Sequence, residues 1–351
     1  RSIETPVRNR ISRIRGLSDM RIAIYINDSV NENKHLMPWR MVLEIGVNLC
    51  EMGHQALIFS GRRSPLRDHW YYGNCPVKEL LKPYTTEALA QLTRHAEHSR
   101  LDAIFWPFAW RGALRNRSLL KAIRVPVVWY VPGACYLFRQ VVHAMGGLSL
   151  RSVMPFFVQS VYPRKYLVSH TLDPNARFMV TASEYTRLAV CRAGWRAQDV
   201  YSVFPGKSLD VAPELGDRAW MLVGVKRRID GRPFYLFMGP PTAIRGTEPL
   251  LKAFASLAGK RPDVCLVCLF RSDRWVDNAE IRRRVERTAF RERIVCVWQS
   301  VSRSDLSAFL DACHAVVLPF LLVPSEIPLA VIEAAGHHKP VLTTGPGGTA
   351  G

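Results

Sequence analysis

Short apolar runs rich in β-branched residues alternate with longer amphipathic stretches along most of the chain. The runs predict strands over 21–26, 55–60, 102–107, 125–131, 177–181 and 200–204. The stretches predict helices over 38–52, 85–99, 112–123 and 184–194. Strands alternating with helices in this way are the signature of βαβ units. From Cys135 to His170 no period is clean, and irregular helices and loops are expected. The pattern weakens again from Gly206 to Arg232 and then resumes. Strands follow over 234–238, 263–270, 293–298, 314–319 and 340–344, with helices over 248–258, 278–290, 303–312 and 328–336. The expected fold is α/β, with two Rossmann-like doubly wound parallel-sheet domains facing an inter-domain cleft. Residues 20–206 form the first domain, 207–232 a linker and 233–351 the second, whose stop at Gly351 just after a strand and a turn reads as a truncation. Residues 1–19 read as a basic extension. It is either disordered or, from the spacing of Ile3, Val7, Ile11 and Ile14, a weak membrane-surface helix.

Composition changes this picture only in part. A chain of 351 residues fits two domains of ordinary size, and 48% apolar residues supply a full core. No run of about eighteen apolar residues occurs, so no membrane-spanning helix is expected. Cys265 and Cys268 stand three apart in the run from Val264 to Phe270, where a strand points them to opposite faces. That spacing favours a core strand over a metal or redox pair. Free thiols in apolar strands suggest a reducing, cytoplasmic compartment. The net charge of +19 favours anionic partners. Those are phosphorylated substrates or the cytoplasmic face of an anionic membrane. The basic runs Arg62-Arg63, Lys226-Arg227-Arg228 and Arg282-Arg283-Arg284 read either as solvated faces or together as a docking surface for anionic lipid. No helix-turn-helix, zinc-finger or RNA-binding signature accompanies the charge, so no specific nucleic acid is expected.

Candidate chemistry concentrates in the second half. The segment from Phe237 to Gly246 ends a strand at Gly239, passes Thr242 and Arg245, and begins a helix with Thr247 as the expected N-cap and Pro249 in its first turn. Unpaired amides at such a terminus attract phosphate, and Arg245 would add a bidentate contact. The other reading is a structural turn with a solvated arginine. Further on, Pro324-Ser325-Glu326-Ile327-Pro328 leads into a helix bearing Glu333. Glu333 lies between Ile332 and Ala334, so a nearly buried carboxylate is expected, satisfied by ligand hydroxyls or by backbone amides. Gly345-Pro346-Gly347-Gly348 after the last strand would let backbone amides approach a phosphate. In the first half, His54 reads as structural. Trp106, Trp110, Trp129, Tyr130 and Tyr136 either stack on an acceptor or pack the core. No metal-ligand cluster is visible.

Taken in order, these motifs resemble the retaining glycosyltransferases of the family-four group, which have the GT-B architecture. The resemblance covers Met20 to Gly351. It rests on the opening strand, Glu51-Met52-Gly53-His54, Val180-Thr181-Ala182-Ser183-Glu184, Val203-Phe204-Pro205-Gly206, the Gly239–Gly246 loop, and Ser325-Glu326 to Glu333-Ala334-Ala335 with Lys339-Pro340-Val341 and Gly347-Gly348. It implies a hexosyltransferase-type enzyme with no cofactor and no metal. A nucleoside-diphosphate-sugar donor would be held by the second domain and a glycan or lipid-linked acceptor by the first, with transfer under retention of configuration. Glu333 would bind the ribose, Glu326 would face the sugar, and Arg245 would neutralise the diphosphate. Gly239, Thr242, Gly246, Ser325, Gly347 and Gly348 would complete the donor site.

The chain also departs from that pattern. The family's two glutamates are one residue further apart, which would put Ser325 in the place of the first. Pro240 replaces an arginine, Pro132 replaces a histidine, and 27–31 replaces a glycine-rich turn. These departures define an alternative: a degenerate, glycosyltransferase-like nucleotide-binding protein without transfer activity.

Overall fold

Strand β10 (Cys265–Phe270) is apolar at all six positions and buried at all six. A strand covered on both faces cannot alternate, which is why the sequence there is one continuous apolar run. The computed structural model describes residues 19–26, 39–62, 69–81, 94, 100–107, 125–131, 133, 136, 138–146, 148, 150–161, 176–206, 220–271, 278–299, 301–323 and 325–345. They divide into two compact units.

The first unit takes in residues up to Pro132 with Arg164–Thr181 and Val190–Val203. Its sheet comprises β1 (Arg21–Ile26), β2 (Gln55–Arg62), β3 (His69–Tyr72), β4 (Cys75–Leu81), β5 (Ala103–Pro107), β6 (Val127–Val131), β7 (Ala176–Thr181) and β8 (Val200–Ser202). Their order is β3-β4-β2-β1-β5-β6-β7-β8, parallel throughout except for the antiparallel β3 edge. Tyr25, Trp106 and Trp129 stack inside it, with centroids 4.5 and 5.8 Å apart. All three are buried, as is Tyr130, so these aromatics pack the core. His54 Nδ1 accepts from the Met20 amide at 3.4 Å, a structural contact.

The second unit comprises Gly133–Pro163, Ala182–Ala189 and Phe204–Gly351. Its sheet adds β9 (Phe234–Gly239), β11 (Ile294–Val297), β12 (Ala315–Leu318) and β13 (Val341–Thr343) to β10, in the all-parallel order β11-β10-β9-β12-β13. This is the doubly wound order whose direction reverses between β9 and β12. β9 pairs with β10 along its whole length to Gly239, but with β12 only at Tyr235 and Leu236. Beyond Leu236 the two strands have no paired residues, and this reversal point at their carboxyl ends is where doubly wound sheets place a ligand crevice. Helices Thr247–Lys260, Asn278–Glu286, Arg303–Ala312 and Leu329–Gly336 connect the strands.

Each expected strand forms, with ends shifted by a residue or two. The hairpin of β3 and β4 was not expected, because Gly73-Asn74 and Pro76 interrupt its short runs. Between Cys135 and His170 two regular helices, Phe138–Met145 and Leu150–Val161, replace the irregular structure expected there. The expected linker contains helix Trp220–Arg228, which buries Leu222 and Val225 and packs against Arg303–Ala312. The units are also interleaved in sequence, unlike the linear boundary expected, because Gly133–Pro163 and Ala182–Ala189 join the second. The expected helices over 85–99 (Arg94 apart) and 112–123 lie outside the described residues. So do Trp110, Pro132, the substituted turn at 27–31, and the N-terminal extension up to residue 18.

Arg293 closes the helix that begins at the crevice. The residue is 7% exposed, and its guanidinium donates to the carbonyls of Ala258 at 2.8 Å and Arg261 at 3.1 Å and lies 4.5 Å from the Phe290 ring centroid. Carbonyls at a helix C-terminus have no partner within the helix, and a cation there also meets the negative end of the dipole. Arg293→Met should lower stability by about 2 kcal/mol in denaturant unfolding. Arg293→Lys should recover less than half of that, because a single ammonium nitrogen on a shorter side chain lacks the planar fork whose two nitrogens reach the two carbonyls.

Candidate functional site

The loop after β9 is built on two glycines in the left-handed region. Gly239 (φ 128°) turns the chain at the strand end. A Cβ on it would stand 3.1 Å from Arg245 Nη1, so its bareness leaves room for that guanidinium. Pro240, Pro241 and Thr242 lead into a 3-10 turn, Ala243–Arg245. Gly246 (φ 74°), and not Thr247, is the N-cap of helix Thr247–Lys260. Thr247 is already helical, and its hydroxyl turns back to the Thr242 carbonyl at 3.3 Å. At the cap itself, a Cβ on Gly246 would lie 1.8 Å from the Pro319 carbonyl oxygen, so only glycine fits there.

The loop after β12 is locked against this one. The Ile244 carbonyl accepts from the amides of Leu321 at 2.8 Å and Leu322 at 3.0 Å. The Arg245 guanidinium carbon lies 5.5 Å from the Phe320 ring centroid. Thr343 Oγ1 at the end of β13 donates to the Leu318 carbonyl at 2.9 Å, and Thr344 Oγ1 donates to that of Phe320. Three strand ends thus meet in one set of loops beside the β9/β12 crevice. Thr242 Oγ1 is buried there without a hydrogen-bond partner.

Beyond Leu322 the β12 loop is held from another part of the same unit. Tyr136 Oη accepts from the Val323 amide at 2.7 Å and donates to its carbonyl at 3.1 Å, and Ser325 forms an isolated antiparallel bridge with Gly133. Tyr136 therefore packs and pins the loop. Burial pushes its phenol well above the usual range.

Glu333 is less buried than expected, and the enclosed carboxylate is Glu326. Glu326 is fully buried, whereas Glu333, on helix Leu329–Gly336, is half-buried. Ser183 Oγ accepts from the Thr186 amide at 3.2 Å, capping helix Glu184–Arg192. The hydroxyls of Ser183 and Thr186 both donate to Glu326 Oε1, while Oε2 is buried without a hydrogen-bond partner. Burial is the largest influence on Glu326 and raises its pKa, against the two hydroxyls and the amides of Thr186 and Ala182, which favour the anion. Ser325, half-buried, turns its hydroxyl to the Ile327 carbonyl at 3.2 Å.

The expected residues therefore fall into three groups. Gly239, Thr242, Arg245 and Gly246 share the β9 loop. Ser325 and Glu326 share the β12 loop, with Glu333 one helix further on. Gly347 and Gly348 lie outside the described residues. Sequence reasoning missed the roles of Ser183, Thr186 and Tyr136. The Ser183–Thr186 pair carries only an ordinary N-cap signal, and its carboxylate partner stands more than a hundred residues away. Among the described residues no group of His, Cys, Asp and Glu is placed to hold a metal. Cys265 and Cys268 are free and buried in β10, as a core strand requires.

Comparison with known proteins agrees with the fold. Residues 232–351 match the family model described as "Glycosyl transferases group 1". The chain is 24% identical over 328 residues to the D-inositol 3-phosphate glycosyltransferase of Pseudarthrobacter chlorophenolicus, covering 88% of this chain and 73% of that one. Anabaena HepE, solved in complex with UDP, superposes with a TM-score of 0.66 at 14% identity, covering 94% and 82% of the two chains. The E. coli trehalose-6-phosphate protein bound with UDP-2-fluoro glucose superposes with a TM-score of 0.64 at 12% identity, covering 94% and 86%. Residues 232–351 thus match a group 1 glycosyltransferase domain, and the described units have the fold of the GT-B structural neighbours.

Two outcomes follow from the loop geometry. Gly246→Ala must displace the Pro319 carbonyl as well as strain φ. It should cost ~3 kcal/mol or more in unfolding experiments, whereas Ala at exposed Gly206, with nothing within 4 Å, should cost little. For Glu326, the folded pKa lies above the unfolded one. Its contribution to stability is therefore full below the ordinary carboxylate range and is lost as pH rises through the raised value. Glu326→Gln keeps an oxygen for both hydroxyls and removes the charge. Between about pH 5 and 8 its melting temperature should fall less steeply with pH than that of the parent. Equal slopes would show that Glu326 is not the group responsible.

Proposed function

We propose that the protein transfers a hexose-type sugar from a nucleoside-diphosphate sugar to a glycan or lipid-linked acceptor, with retention of configuration. The observation that carries this reading is the β9/β12 crevice with its glycine-capped helix terminus and Arg245 on one loop. Open α/β sheets bind ligands at that point of the topology. A helix N-terminus with an adjacent guanidinium suits a diphosphate. The bound UDP and UDP-2-fluoro glucose of the two structural neighbours support a nucleotide donor.

In transfer, the bond from the sugar C1 to the diphosphate oxygen breaks and the acceptor hydroxyl oxygen bonds to C1, releasing its proton. Positive charge gathers on the sugar ring and negative charge on the departing diphosphate. Arg245 and the amides after Gly246 would stabilise the latter, a preorganised contribution that needs no metal. Thr242 Oγ1, buried and unpaired, would gain a phosphate partner. Glu333, half-buried on its helix, would take the ribose hydroxyls, with Gly347 and Gly348 backing the donor.

The Glu326 carboxylate is engaged with Ser183 and Thr186. In this reading it acts by shaping the loop that presents Ser325 to the sugar, and its orphan Oε2 is the atom left for a donor hydroxyl. The same burial supports the alternative, a protein that binds the nucleotide without transferring the sugar.

Nucleotide release and product formation, measured across a panel of nucleoside-diphosphate sugars, test this. Arg245→Ala should lower kcat about 10²-fold or more, with partial recovery in Arg245→Lys. Glu333→Ala should mainly raise the donor KM. Calorimetric nucleotide binding with no turnover would establish the binding-protein alternative. Absence of both binding and turnover would refute the donor site.

A further inference from the structure

The hairpin of helices Phe138–Met145 and Leu150–Val161 is apolar on two faces. Its inner face, including Val141, Ala144, Val153 and Phe156, is buried in the core of the second unit. Its outer face carries Phe138 and Val142, one turn apart and 49% and 45% exposed, and Leu150 and Met154, one turn apart and 59% and 41% exposed. The rings of Phe138 and Phe157 lie 5.6 Å apart between centroids, which joins the two stripes across the hairpin. A surface helix ordinarily turns its polar side to water, and a contiguous exposed apolar patch marks an interaction site.

Charge selects the partner. From Ala103 to Leu172 the chain holds nine Lys or Arg residues and no Asp or Glu. The hairpin lies within that stretch, and Arg139 and His143 are exposed beside the apolar residues. A second copy of the chain would bring like charge against like. An anionic bilayer satisfies both features: its acyl boundary takes the apolar side chains, and its headgroup phosphates take the cations. We propose that the outer face of the Phe138–Val161 hairpin docks on an anionic lipid surface, with Phe138, Val142, Leu150 and Met154 seated at the headgroup–acyl boundary. The inner side of helix Leu150–Val161 packs against the Ala243–Arg245 turn, and the outer face includes none of the basic runs noted in the sequence.

Co-sedimentation of the full chain with vesicles tests this without reference to turnover, so it stands or falls separately from the donor site. The protein should bind vesicles of phosphatidylglycerol and phosphatidylcholine, bind pure phosphatidylcholine far less, and release partly as salt rises. The uncharged double variant Val142→Gln/Met154→Gln should bind roughly tenfold or more weakly. Leu150→Gln should show a smaller loss, and circular-dichroism melting should confirm that both variants are folded. Three results would overturn the proposal: no vesicle binding by the parent, equal binding by the folded double variant, or sedimentation showing that the patch closes a dimer which the double variant breaks.

Discussion

The site depends on one carbonyl. Ile244, in the 3-10 turn after β9, accepts the amides of both Leu321 and Leu322 from the loop after β12. Two residues on, Gly246 is pressed so close to the Pro319 carbonyl that a methyl group would overlap it. β9 and β12 stop pairing at Leu236, so nothing in the sheet itself holds their carboxyl ends in register. The loop-to-loop hydrogen bonds replace the missing ladder, each contributing about 1 kcal/mol net. They fix where Arg245, Thr242 and the first amides of helix Thr247–Lys260 point. An anion site made of backbone groups is only as rigid as the chain that carries them.

The electrostatics of that helix start are mixed. Glu248 in its first turn would disfavour a phosphate nearby. Its carboxylate is bound by Lys252 at 2.9 Å and by Arg284 at 3.0 Å, and these cations hold its pKa below the usual range. Such exposed pairs stabilise little. What they do is offset the Glu248 charge near the terminus. The second carboxylate problem, Glu326, is solved differently. Its oxygen lies at the start of helix Glu184–Arg192, where two hydroxyls and two amides face it, yet removal from water still outweighs them. A buried carboxyl under such opposing influences ties Ala182–Ala189 to the β12 loop by hydrogen bonds, at a cost that depends on its proton.

The strands, the long helices of the second half and the α/β class were legible in sequence because burial on two faces leaves a continuous apolar run, and amphipathic period marks a helix against a sheet. The Gly239–Gly246 loop was legible as a strand–glycine–helix turn, and the family resemblance agreed with the matched model over 232–351. Which residue caps the helix was not, since Thr247 is the better capping side chain, yet it is already helical and turns its hydroxyl to the Thr242 carbonyl. Nor were the helices between Cys135 and His170, whose outer faces stay apolar and so blur the period.

By itself, then, the sequence determined the layers and the order of the chemistry along the chain. Tertiary structure alone decided the environments. Glu326 and Glu333 stand on either side of Pro328, each with an apolar residue next to it. One is enclosed with Ser183 and Thr186 and the other stays half in water. Burial of a charged group depends on what distant segments bring to it, and hydroxyls some 140 residues away carry no local signal of the carboxylate they will meet.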